Sequence, residues 1–148
     1  MTETAMPRRL ATVVLLLAPL ALATPASAYS KAANYLIKQQ IRVACDGRPG
    51  RIRPEGVIER DLTGDGHKDL IINHDGIECR AEWSRSGYCG ASACSVHIYV
   101  REGALLVHKT ELLTGGIRIG RGSRPRISFY SLTEQRMVPM RWNGRTFD

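Results

Sequence analysis

"GVIERDLTGDGHKDLIINH", residues 56–74, decides how this chain folds. Its ends, "GVIERDL" and "DLIINH", read as two short strands, and the polar centre joins them. Three aspartates and two glycines crowd the centre of a chain that is otherwise basic, with a formal net charge of +7 over 148 residues. One reading of the centre is a loop for a hard cation. Calcium takes six to eight oxygen ligands from a tight loop with alternating carboxylates. Asp61, Thr63 and Asp65 stand at alternate positions, Gly66 permits the sharp turn, His67 offers a backbone carbonyl, and Asp69 is the ninth position. The twelfth is Ile72 rather than a glutamate, which rules out the helix-loop-helix calcium motif. The other reading is plain turn chemistry, because Gly64, Asp65 and Gly66 are turn residues in their own right.

Outward from this hairpin, the upstream segment "SKAANYLIKQQIRVAC" reads as one helix. Ser30 is its N-cap, and Ala33, Leu36, Ile37, Ile41 and Ala44 share a face. Asp46-Gly47 stops it, and "GRPGRIRPEG", broken by Gly and Pro, reads as loop. Downstream, "CSVHIYVREGALLVHKTELL" is a hairpin around Glu102-Gly103, with Val96, Ile98 and Val100 on one face. "GGIRIG", "RPRISFYSL" and "MVPMRW" read as further strands, and Asn143-Gly144 signals a last tight turn. The expected class is α+β, mostly β: an antiparallel sheet with the N-terminal helix packed on one face.

Residues 1–28 are predicted to be a secretory signal peptide. Arg8 and Arg9 precede an apolar run from Leu10 to Ala23, and Ala26-Ser27-Ala28 fits the cleavage site. The run is too short for a span of ~20 residues and Pro19 interrupts it. Cleavage leaves one domain, residues 29–148, secreted or periplasmic, with no later apolar run long enough to span a membrane. The even set Cys45, Cys79, Cys89 and Cys94 implies disulfides in that compartment. Three connectivities are possible; the short "CGASAC" loop favours Cys89–Cys94, which leaves Cys45–Cys79. The rival reading is zinc held by Cys79, Cys89, Cys94 and His97, which an oxidising compartment opposes.

The aspartate motif resembles the FG-GAP/VCBS-type repeats, whose "D-x-D/N-x-D-G-x-x-D" hairpins bind calcium. The resemblance covers about ten residues in a single copy and implies calcium as the cofactor. Thr63 replaces the family's Asp or Asn, which weakens such a site. Residues 55–101, with "YCGASACSVHIYV" after the hairpin, resemble small exported bacterial proteins of unassigned function. Ala93 stands where their CGxxGC-like loop often has a second glycine. This likeness implies fold and compartment and supplies no catalytic residue.

Catalytic motifs are absent: there is no G-x-S-x-G, no H-E-x-x-H and no phosphate loop with lysine. His97 and His108 fall on neighbouring predicted strands where they can meet, and His74-Asp75 is a candidate oriented base. Arg118, Arg121, Arg124 and Arg126 lie in a stretch with no acid between Glu111 and Glu134. Arginine forks suit phosphate, sulfate or carboxylate. No aromatic residue is interleaved among them, which argues against nucleic acid; edge-strand arginines that discourage aggregation are the plainer alternative. Two functions follow. One is an exported, non-catalytic binding or structural module for an anionic envelope polymer or a protein. The other is a small secreted hydrolase with a histidine base.

Overall fold

The computed structural model describes Met1, residues 29–80 and residues 85–148, so the expected signal peptide lies outside the described residues. The helix α1 spans Lys31–Ala44, and the Ser30 hydroxyl accepts from the Ala33 N–H at 3.2 Å, the expected N-cap. Ala33, Ile37 and Ala44 are buried, as their spacing predicts. Asp46 and Gly47 adopt positive φ (51° and 74°) just past the helix end, and the Gly47 N–H returns to the Arg42 carbonyl.

Among the described residues, the strands form three antiparallel sheets. β1 (Gly50–Ile52) pairs with β4 (Ile77–Cys79). β2 (Val57–Arg60), β3 (Asp69–Asn73), β5 (Cys94–Glu102) and β6 (Leu105–Thr114) form a four-stranded sheet in the order β2-β3-β5-β6. β7 (Ile117–Ile119), β8 (Ile127–Ser131) and β9 (Arg136–Met140) form the third. The expected class is therefore observed, with two corrections. The "GRPGRIRPEG" segment is more than loop, because it contains β1 and a 3-10 turn, Pro54–Gly56. The strands also divide among three sheets instead of sharing one.

The four-stranded sheet is the middle layer, which explains why β3 and β5 are buried on both faces. Side chains alternate along a strand, so one strand feeds two cores. Ile71, Val96, Ile98 and Val100 face the third sheet and meet Ile127 and Met140. Leu70, Ile72 and Tyr99 face the other way and meet Ala33 and Ile37 of α1. The start of the helix is tied to the sheet by Glu59, which accepts from the Ser30 N–H at 2.8 Å and pairs with Arg101 at 3.3 Å, both side chains largely buried.

Both expected disulfides form, Cys45–Cys79 and Cys89–Cys94, with Cα separations of 5.4 and 4.0 Å. The first joins the end of α1 to β4 across 34 residues and packs with Ala44 and Ile77. In the chain-entropy treatment a loop of that length stabilises by about 3–4 kcal/mol. No thiolate is left among the four cysteines, so the zinc reading of Cys79, Cys89 and Cys94 is withdrawn. Among the described residues, no helix is long and apolar enough to cross a membrane.

Candidate functional site

The β2–β3 connection, residues 61–68, is shaped by carboxylates turned onto its own backbone. Asp61 accepts from the Gly64 N–H at 2.6 Å and the Gly66 N–H at 3.0 Å, one on each oxygen. Asp65 accepts from the His67 N–H at 2.8 Å, and that bond holds its carboxyl below the usual range. Asp69 behaves differently from a loop ligand. It is the first residue of β3, fully buried, and takes the N–H groups of Leu62 (2.9 Å), Thr63 (3.2 Å) and Arg101 (2.8 Å). Burial pushes its carboxyl up against the pull of these bonds. Thr63 is buried as well, while Asp61 is half-buried and Asp65 and His67 are exposed. Of the five residues assigned to a cation, two thus point inward. These hydrogen bonds shape the turn whether or not an ion is bound.

The arginine segment docks on this loop. Arg60 donates to the carbonyls of Gly120 (2.9 Å) and Gly122, and Arg124 Nε donates to the Thr63 carbonyl at 3.0 Å. Gly64, at φ 82°, lies so close that a Cβ there would come within 2.8 Å of Arg124 Nε. The two motifs that stand out in the sequence, aspartate loop and arginine segment, are therefore one surface.

Beside their junction is a cleft of about 530 Å³ between the loop, the β7–β8 connection and the C-terminal hairpin. Leu62, Met140, Trp142 and Phe147 supply apolar lining, and Arg124, Arg126 and Arg141 supply charge. Trp142 and Phe147 are set opposite each other by a bridge across the Asn143-Gly144 turn, with ring centroids 5.1 Å apart. Among the described residues, none of these three guanidinium groups is ion-paired, whereas Arg51, Arg53, Arg101 and Arg136 are. The four arginines of the sequence motif divide: Arg124 and Arg126 line the cleft, and Arg118 and Arg121 are exposed outside it. Arg141, Trp142 and Phe147 are missed by sequence reasoning; the Asn143-Gly144 turn is the signal that brings them together.

His74, His97 and His108 gather on the opposite, helix-facing side of the middle sheet. His97 Nδ1 lies 3.2 Å from His108 Nε2, so these two do meet. His74 is fully buried, and its ring is 5.0 Å from that of His97. It is not paired with Asp75, whose carboxylate faces Arg53 and Arg85 at 3.7 and 3.8 Å. Instead a chain of hydrogen bonds fixes its tautomer. Gln40 Nε2 donates to Tyr99 Oη (2.9 Å), so Gln40 Oε1 must accept from His74 Nε2 (2.9 Å), and His74 Nδ1 accepts from Ser86 Oγ (2.9 Å). Burial lowers His74 to about 4, so the ring is neutral. With both nitrogens occupied, His74 is a structural group rather than a free base.

No family model, curated protein or solved structure matches this chain.

Proposed function

We propose that the chain is an exported, non-catalytic binding module whose ligand is an acidic glycan of the cell envelope, held in the Arg124–Arg126–Arg141 cleft. The observation that carries this reading is a cleft that combines three guanidinium groups, none ion-paired among the described residues, with an apolar wall that includes Trp142 and Phe147. Guanidinium forks suit carboxylate, sulfate or phosphate, and an apolar wall takes the ring that bears them. A cleft of about 530 Å³ is within the range of small-ligand sites. The two disulfides fit an oxidising compartment, and the signal-like N-terminal sequence supports export. The one serine hydroxyl seen on a histidine among the described residues, Ser86 on His74, is buried with its partner, whose other ring nitrogen is taken by Gln40, which supports binding over hydrolysis.

Calorimetric titration with oligouronate and sulfated oligosaccharide tests the proposal. Arg126→Ala with Arg141→Ala should weaken binding about tenfold or more, with thermal stability nearly unchanged because exposed charges contribute little. Arg118→Ala with Arg121→Ala should matter less. Binding should also fall as salt is added. Equal loss in both double variants, or salt-independent binding, would overturn the cleft assignment.

A further inference from the structure

The geometry points to a second site, on the other side of the middle sheet: we propose that His97, His108 and Glu111 bind one divalent transition-metal ion of the zinc class, with a coordination position left open to solvent. Among the described residues, these are the one group of three His, Cys, Asp or Glu side chains with donor atoms all within 4.8 Å of one another.

Strand geometry shows how the group is built. In a regular strand His108 and Glu111, three residues apart, would point to opposite faces. A bulge prevents this. Tyr99 pairs with His108 and Ile98 with Thr110, so Lys109 is the extra residue. The bulge resets the alternation and turns both His108 and Glu111 toward the face that carries His97, which pairs with Glu111 across the ladder.

The separations suit a metal. One donor atom from each of the three side chains lies within 4.8 Å of the other two, close enough for small side-chain shifts to bring them onto one ion that His97 holds through Nε2. Glu111 Oε1 is 3.9 Å from His97 Nε2. That Nε2 atom is buried without any hydrogen-bond partner, in a side chain only 9% exposed. A buried polar atom left unmatched calls for an explanation, and an ion shared with the two neighbouring donors supplies one. The ring of Tyr99, 5.1 Å from His108, and the ring of His74, 5.0 Å from His97, support the pair from the side. His74 and Tyr99 are themselves joined through Gln40.

Donor chemistry sets the class of ion. Two imidazoles and one carboxylate suit zinc and its neighbours, while calcium and magnesium prefer all-oxygen shells. Three protein ligands leave a fourth position for water. His108 and Glu111 are exposed, which gives the ion a way in.

The test is calorimetric titration of the purified, oxidised protein with zinc chloride, paired with the visible spectrum of its cobalt(II) form. The expected result is one equivalent of zinc and the intense visible bands of a four-coordinate cobalt centre. His108→Ala and Glu111→Gln, both at exposed positions, should each lower affinity by on the order of 100-fold, whereas His67→Ala should leave it unchanged. Excess calcium should not compete. Absence of stoichiometric binding, retention of it in both cluster variants, or displacement by calcium would overturn the assignment. The titration is independent of the cleft, so either proposal can fail alone.

Discussion

Replacing Asp69 by Ala tests how the β2–β3 connection is held. The buried carboxylate is the shared acceptor for the Leu62, Thr63 and Arg101 N–H groups, at 2.8–3.2 Å. Hydrogen bonds to a charged acceptor contribute about 1.5–3 kcal/mol each, and an orphaned buried donor costs about 1–3 kcal/mol. Relief of the carboxylate's own desolvation offsets part of the sum, because burial already opposes its ionisation. The expected loss is about 3–5 kcal/mol, at the upper end for a single substitution. Asp65→Ala removes one exposed bond and should cost less than about 1 kcal/mol. Urea unfolding followed by far-UV circular dichroism reads both as shifts in midpoint at constant slope. Amide exchange adds a local readout, since Leu62, Thr63 and Arg101 should lose protection only in the Asp69 variant. Equal destabilisation by the two substitutions would refute this account of the loop.

Two further outcomes follow from the same geometry. His74 falls from 6.5 to about 4 on folding, so the unfolded chain takes up a proton below pH 6.5 that the folded chain refuses until about pH 4; stability should fall by about 3 kcal/mol through that window as acid is added. Urea midpoints near pH 7 and near pH 4 should show this slope in wild type and a flatter one in His74→Gln. For calcium, the carboxylates already serving backbone N–H groups predict no change in melting temperature at millimolar ion. A rise that disappears in Asp65→Ala would instead establish a weak calcium loop, with affinity on the order of 10⁻⁴–10⁻³ M.

Local chemistry explains which features were legible in the sequence. The helix was readable because Ser30 caps it and Ala33, Ile37 and Ala44 repeat at its period. β5 was readable because Val96, Ile98 and Val100 alternate, and the short Cys89–Cys94 loop pointed to its own disulfide. β1 was not, since a three-residue strand in a Gly- and Pro-broken segment exists only through its distant partner, Ile77–Cys79. Asp69 read as a ninth-position ligand, and its hydrogen bond to the Arg101 N–H, 32 positions away, had no signal in the loop itself. The bulge at Lys109 carries no residue signature, so the convergence of His108 and Glu111 could not be seen, although the meeting of His97 and His108 could. The cleft was half visible. Arg124 and Arg126 stood out as a charge run, but Arg141, Trp142 and Phe147 join them only through the packing of the C-terminal hairpin.

The central claim, that the arginine-lined cleft is an anion-binding site, is tested most directly by a nuclear magnetic resonance titration with an oligouronate. Trp142 and the three guanidinium groups line one cavity, so the Trp142 indole N–H and the Nε–H signals of Arg124, Arg126 and Arg141 should shift together and saturate with a single dissociation constant. Shifts confined to Arg118 and Arg121, or no saturable shift at all, would contradict it.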